Sequence, residues 1–489
     1  MKVAFVTPEL HSLVRRTNLA EIAEFLPRTL HQMGTDARVF LPYTEDIDAS
    51  RITGLEPRGE VEVRDGEGKA RLVIHQGALD TLPVVLVDHP KFFRRRHPYG
   101  DSNGPYADNW RRYAVFCRGV LEALEVVDFP PDVLHCFDWT TGLIPLLQRL
   151  EFAGRDDHPA AHAGTFFAIH NLAMQGAFER EILPKIGLPH RMFQAIEGVE
   201  LGGRVNYLKA GAEFATIIGT PSPSQAERMQ KDERGDGLDD TFRRRKKELV
   251  GVLSGIDYRA WDPATDALLA QNFSVKDRDL AGKRKCKAAL QAALRLNNGP
   301  RTPLLTIVGR FDSDNGFDLL AEALTPMLER NIELVLMGPG QVEIMDRLRT
   351  VEQTFEGRCR ILEGYNVAHA HTILGGSDML LLPAHYHPSN ALCAIAMRYG
   401  VVPVVYAKSG LEDTVRDVVG EPRSGTGILF EHYNSDSLLD GVDAARALYK
   451  KAADWRRLAM RCLKRDFSWQ ESARNYLKAY RRVTRRVRK

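Results

Sequence analysis

The side chains best suited by type and spacing to carry chemistry include four histidines, His369, His371, His385 and His387, because imidazole readily binds zinc, copper and iron. No acidic or cysteine ligand spacing accompanies them, so no metal centre is expected. The six cysteines (Cys117, Cys136, Cys286, Cys359, Cys393, Cys462) are scattered without a CxxC pair. That argues against a zinc motif and a disulfide framework alike, and fits a reducing cytosol. Anion binding is the next chemistry to consider, since two runs are strongly basic. One is Arg243-Arg-Arg-Lys-Lys, inside the charged stretch Lys231 to Glu248; the other is the tail Arg481, Arg482, Arg485, Arg486, Arg488 and Lys489. Both read as solvated surface, the first an exposed loop and helix, the second a helix end whose dipole suits cations. With 67 basic and 64 acidic residues the net charge is +3, too even for an extended nucleic-acid footprint.

These groups need a scaffold, and the apolar patterning supplies one. Short β-rich runs at Val3 to Val6, Ala37 to Leu41, Val84 to Val87, Val133 to Leu134, Thr165 to Ile169 and Thr216 to Ile218 alternate with helical patterns such as Leu19-Ala-Glu-Ile-Ala-Glu-Phe-Leu. A second series begins near Leu304 and continues through Ile332 to Gly338, Cys359 to Leu362, Met379 to Pro383 and Val401 to Tyr406. Strand and helix alternation implies parallel sheets covered on both faces. At 489 residues, with 44% hydrophobic and 27% charged residues, the chain is long enough for two such domains. In doubly wound sheets ligands sit outside the carboxyl ends of the strands. The cleft between the two domains is therefore the expected site. No signal-peptide pattern opens the chain, and no apolar stretch reaches the roughly 18 residues of a membrane span. The expected location is cytoplasmic.

Several strings, in order, carry a resemblance. They are Leu19-Ala-Glu with Leu26-Pro-Arg, Tyr106-Ala-Asp-Asn, His135-Cys-Phe-Asp-Trp, Ile169-His-Asn-Leu-Ala-Met-Gln-Gly and Tyr207-Leu-Lys-Ala-Gly, followed by Gly255-Ile-Asp, Trp261-Asp-Pro-Ala-Thr-Asp, Ala396-Met-Arg-Tyr-Gly, Gly410-Leu-Glu-Asp-Thr-Val and Asp466-Phe-Ser-Trp. Together they resemble the bacterial and plant glycogen/starch synthases, which transfer glucose, usually from ADP-glucose, to the growing end of an α-1,4-glucan. The resemblance implies an α/β glycosyltransferase-B fold, two Rossmann-like domains facing across a cleft. An acceptor-side domain would span 1–250 and a nucleotide-sugar domain 251–465, with a final helix, 466–489, returning to the first.

The resemblance also implies a site, and that site is substituted. Retaining transfer develops positive charge on the sugar carbon while a diphosphate leaves, so the pocket needs cations and amides around the phosphates. Where the family has a Lys-Thr-Gly-Gly loop, this chain has Arg15-Arg16-Thr17-Asn18. Arginine differs from lysine in donor geometry, and two side chains in place of glycines hinder close approach and disfavour positive φ. An ordinary surface loop would read the same way. Of the family's Arg and Lys pair on the donor phosphates, Arg310 matches the Arg, though a strand-end role would also explain it, and Asn315 replaces the Lys. The lost charge-assisted contact is worth about 1.5 to 3 kcal/mol. Gly410 completes the implied donor-binding set. The family's essential Glu corresponds to His387, in His385-Tyr-His-Pro-Ser-Asn-Ala, and imidazole supplies no fixed negative charge. Thr140 and Ser254 replace a family His and Asn. Asp108, His170 and Asn171 match the family and would line the glucose-facing wall; Asp108 is equally placed to cap the helix after it.

The substitutions fall on donor-phosphate and sugar contacts while the framework strings persist. That pattern suits a chain that must fold but need not catalyse the family reaction, a glycan-metabolism pseudoenzyme binding α-glucan, nucleotide sugar or an active synthase partner. An active retaining glucosyltransferase with a rearranged pocket or another donor stays open, as does a different reaction on the same fold. No cofactor or metal is implied. Neither nucleic acid nor membrane is an expected partner.

Overall fold

The computed structural model describes all 489 residues except 67, 233, 298, 300, 386–388 and 488–489. The described chain divides into two compact units, Met1–Leu253 with Trp469–Lys489, and Ser254–Ser468.

In the first unit the opening apolar run forms β1 (Lys2–Val6), buried from Val3 onward. After it come α1 (Leu19–Gln32), β2 (Asp36–Pro42), β3 (Thr53–Asp65), β4 (Gly68–Leu79), β5 (Leu82–Asp88), α2 (Asn109–Val126), β6 (Val133–Phe137), β7 (Gly164–Ala168), α3 (Tyr207–Phe214), β8 (Ile217–Thr220) and β9 (Leu249–Gly251). Among the described residues these strands form one sheet in the order β9-β8-β7-β6-β1-β2-β5-β4-β3. The pairs from β9 to β5 are parallel, and the β3–β4 hairpin is antiparallel to its neighbours. The order reverses between β1 and β6, and the resulting crevice at the strands' carboxyl ends is where such sheets bind ligands.

The last helix, Trp469–Val487, belongs to this unit. Its apolar residues Trp469, Ala473, Tyr476, Tyr480 and Val483 recur at helical spacing and are buried. Tyr480 shares a 2.6 Å hydrogen bond with Nδ1 of His135 beneath the sheet.

The charged stretch 231–248 corrects the expectation of a merely exposed loop and helix. Thr241 and Phe242 are buried, Arg244 meets Glu213 at 2.5 Å, and Arg245 donates to the carbonyls of Ala212, Glu213 and Ala215. Those carbonyls close the C-terminal end of α3, where helical carbonyls lack internal partners and cations are favoured. The described part of the basic tail is tied down as well, with Arg482 on the Lys247 carbonyl and Arg486 on the Glu248 carboxylate.

The second unit holds α4 (Ala281–Ala293), β10 (Leu304–Val308), α5 (Phe317–Leu328), β11 (Glu333–Gly338), α6 (Val342–Thr354), β12 (Cys359–Glu363), α7 (Val367–Gly376), β13 (Met379–Leu382), α8 (Ala391–Arg398), β14 (Val402–Tyr406) and β15 (Ile428–Phe430). Its parallel sheet runs β12-β11-β10-β13-β14-β15 among the described residues, with the reversal between β10 and β13. His371 of α7 is part of this unit's framework. Its Nδ1 lies 2.7 Å from Asp266, which also accepts from Tyr399 at 2.5 Å, and its ring stacks on Trp261 at 3.9 Å. Among the described residues no helix is long and apolar enough to cross a membrane.

Candidate functional site

In each unit the residues singled out from sequence gather at the carboxyl ends of the strands beside the reversal. In the first unit, the loop leaving β1 is organised by Glu9, a fully buried carboxylate that the sequence reading missed. It accepts from the backbone amides of Arg16 (2.7 Å) and Thr17 (2.8 Å), the Thr17 hydroxyl (3.0 Å) and the Tyr99 hydroxyl (2.5 Å). Two amides of the 15–18 loop are thus engaged internally. Asn18 has φ −67°, and none of residues 15–18 has positive φ, which corrects the expectation that replacing glycines here strains the backbone. Arg15 pairs with Glu21 of α1 at 2.9 Å. Arg16 meets Asp46 at 2.5 Å and also contacts His97.

Asp108 stands at the N-cap position of α2 but makes no capping hydrogen bond from its side chain, contrary to the cap alternative. Its carboxylate instead takes a bidentate pair from Arg95 at 2.8 and 2.7 Å. Burial alone would raise its pKa; the Arg95 hydrogen bonds and charge outweigh that and hold it below the usual carboxylate range. Asn109 links this corner to the Glu9 loop by donating to the Tyr99 carbonyl at 2.8 Å.

Asp138, also missed from sequence, follows β6 and shapes the His170–Asn171 turn after β7. One oxygen accepts both backbone amides, His170 at 2.7 Å and Asn171 at 3.2 Å. The residue sits at φ 53°, ψ −171°, a region nearly reserved for glycine that costs on the order of 1–3 kcal/mol. The His170 ring has a buried Nε2 with no hydrogen-bond partner among the described residues, and burial lowers its pKa to about 4. It is neutral at physiological pH. Asn171 is exposed, with its carboxamide oxygen accepting from the Ala173 amide. Thr140 is buried, its hydroxyl 3.4 Å from the Phe137 carbonyl.

Burial, only partly opposed by the two amide hydrogen bonds, pushes the Asp138 carboxyl up to about 7. The unfolded chain releases this proton near the ordinary value of about 3.9, so the folded state is penalised progressively as pH rises from about 4 to about 7. Asp138→Asn is therefore expected to gain stability relative to the parent between about pH 5 and about pH 8, measured by urea unfolding at both. Identical pH dependence in the two proteins would contradict this assignment.

In the second unit, Arg310 and Asn315 occupy the turn between β10 and α5. Arg310 is a largely exposed side chain, three-quarters accessible, with its guanidinium 3.8 Å from Asp312, so the strand-end alternative does not hold. Asn315 is held within the turn, where Asp312 accepts both its backbone amide (3.0 Å) and its side-chain amide (2.7 Å). Gly316 follows at φ 81°, where a Cβ would lie 2.4 Å from the Pro383 carbonyl, so this turn presses against the segment after β13. That segment contains His385, whose ring packs against Tyr406 and Tyr433; Tyr433 donates to Asp318 at 3.1 Å. His387 lies outside the described residues. The Ser254 carbonyl accepts from Asn390 at 3.5 Å, a long contact. Gly410, at φ 94° after β14, donates its amide to Glu412 at 2.7 Å. A mostly apolar cavity of about 320 Å³ opens beside the Arg310–Asn315 turn, lined by Asp312, Asp318, Arg347, Phe317, Ile344 and Leu348.

Comparison with known proteins agrees with this architecture. The starch synthase catalytic domain family matches residues 2–244, and glycosyl transferases group 1 matches residues 294–460. Glycogen synthase 2 of Geobacter sulfurreducens is 38% identical over 481 residues, covering 98% of each chain. The glycogen synthase of Geotalea uraniireducens is 38% identical over 482 residues with the same coverage. Among solved structures, the catalytic domain of starch synthase IV from Arabidopsis thaliana, bound to ADP and acarbose, aligns over 99% of both chains with a TM-score of 0.82 and 29% identity. Sucrose-phosphate synthase from Thermosynechococcus elongatus, at 14% identity and a TM-score of 0.57 over 99% of each chain, shares the fold alone. The fold is the two-domain α/β arrangement of GT-B glycosyltransferases. Within that class, the chain belongs to the glycogen/starch synthase family.

Proposed function

We propose that this protein acts in α-1,4-glucan metabolism with glucosyl transfer from ADP-glucose impaired or lost, and that it retains glucan binding on its first unit. One observation carries the reading. The turn from Arg310 to Asp318 carries one arginine and three aspartates, Asp312, Asp314 and Asp318, with the Arg310 guanidinium 3.8 Å from Asp312, and the Asn315 amide, at the family's lysine position, is engaged by Asp312. Even counting Arg347 on the wall of the adjacent cavity, carboxylates outnumber cations around this turn, so a diphosphate brought to it meets net negative charge where the resemblance implies two phosphate-binding cations. Asp108 and the His170–Asn171 turn, held by Arg95 and Asp138, support retention of the sugar-facing wall.

A second reading, an active retaining glucosyltransferase with an altered pocket or donor, is favoured by the exposure of Arg310, which leaves its guanidinium accessible to a phosphate. Calorimetric titration with ADP separates the two. The first reading expects no saturation below roughly 1 mM, whereas saturation near roughly 10 μM would contradict it.

A further inference from the structure

Two basic segments that hold none of the candidate site residues meet on one face of the first unit. Residues 243–248 and the helix Trp469–Val487 together hold eleven basic and two acidic residues, while the whole chain carries only +3, so the remainder is net negative. Contacts from Arg482 to the Lys247 carbonyl (2.8 Å) and from Arg486 to Glu248 (2.6 Å) join the segments. Lys246, Lys247, Lys478, Arg481, Arg482 and Arg485 are all exposed, and none forms an ion pair with a carboxylate among the described residues. Lys478 donates to the neutral Asn475 side chain, which leaves its charge uncompensated.

The face also carries an open depression. A cavity of about 370 Å³ opens between the helix and the sheet-edge strand, with Lys478, Arg482 and Asn475 on one wall and Pro223, Val250 and Leu253 on the other. This pairing of cations with an apolar wall narrows the ligand. A membrane would want a row of exposed apolar residues on the helix, but its stripe from Trp469 to Val483 is buried and Val487 is its one exposed large apolar side chain among the described residues. Single-stranded nucleic acid would want exposed rings to stack on, and the helix's aromatic residues, Trp469, Tyr476 and Tyr480, are all inside. Inorganic polyphosphate has nothing to place against Val250 and Leu253.

We propose that this face docks an acidic protein segment, with one apolar side chain seated in the cavity and carboxylates spread over Lys478, Arg482 and the neighbouring cations. Charge complementarity brings the segment in, and the buried anchor fixes its register. The surface is independent of the donor turn, so it serves whether or not transfer survives.

The test is fluorescence anisotropy of the full-length protein with two labelled Asp/Glu-rich peptides, identical except that one carries a central Phe. Binding of the Phe peptide is expected to be roughly tenfold tighter. It should weaken by a further order of magnitude or so in Lys478→Glu/Arg482→Glu, with circular dichroism unchanged and the unfolding midpoint lowered no more than the lost Arg482 contact to the Lys247 carbonyl accounts for. Equal affinity of the two peptides, or displacement of the Phe peptide by polyphosphate, an oligonucleotide or phosphatidylserine vesicles at matched charge, would overturn the proposal in favour of non-specific anion attraction. Undiminished binding in the double variant would remove the face altogether. If that variant loses its fold, Lys478→Gln alone, which changes one exposed side chain, is expected to weaken binding severalfold, and no change would be equally damaging.

Discussion

Asp312→Asn combined with Asn315→Lys is expected to tighten ADP binding by at least about tenfold. The pair changes the local charge by two units, and a single charge-assisted contact to a phosphate contributes about 1.5 to 3 kcal/mol, the lower figure already being about tenfold. The backbone tolerates the change. Asn at 312 keeps a side-chain oxygen for the residue-315 amide that Asp312 now accepts at 3.0 Å, and Gly316 still supplies the left-handed turn into α5. Calorimetry at two salt concentrations checks the mechanism, because the gained affinity must weaken as salt rises. Affinity unchanged by the double substitution would mean that the turn does not face the donor. Transfer itself is not expected to return with Asn315→Lys and His387→Glu alone, since the amides of Arg16 and Thr17 remain committed to Glu9.

The second large effect is on stability. Lys287→Ala should destabilise the second unit by about 3–5 kcal/mol, the range for removing one partner of a buried ion pair. The Lys287 ammonium, buried on α4, donates to the Thr302 carbonyl (2.5 Å), the Asp378 carboxylate (2.5 Å) and the Tyr449 hydroxyl (2.9 Å). Asp378 also accepts the amide of Leu304, the first residue of the strand that leads into the Arg310–Asn315 turn, at 2.9 Å. Truncation strands that carboxylate inside the protein. Lys287→Met with Asp378→Asn should recover most of the loss, because no charge stays buried and an amide oxygen still meets Leu304. Denaturant unfolding of the single and double variants decides it; equal loss in both would show that the cost is packing rather than charge.

Much of the fold was legible because parallel strands buried on both faces write continuous apolar runs. The runs at Val3, Val133 and Leu304 all became strands at the centre of a sheet. The β3–β4 hairpin was not read, although in β3 Val61 and Val63 alternate with Glu60, Glu62 and Arg64 at the two-residue period of a half-exposed strand. The family strings supplied the candidate positions, and the structure sets Thr140, His170 and Arg310 just past strand ends and Arg15 in the loop leaving β1. Their supports were not legible, because Glu9 reaches Tyr99 and Asp138 reaches His170 across the sheet, pairings with no local spacing to betray them. Asn315 is the counterexample. Its partner Asp312 lies three residues earlier, the spacing of an N-cap and the amide it accepts, and could have been read directly.

The most direct test of the central claim is incorporation of labelled glucose from ADP-glucose, and separately UDP-glucose, into glycogen by the purified protein. Loss of the donor site predicts incorporation no greater than that of a heat-killed control, together with co-sedimentation of the protein with glycogen. Incorporation well above that control, abolished by Arg310→Ala, would contradict it and make this chain an active synthase with a rebuilt phosphate site.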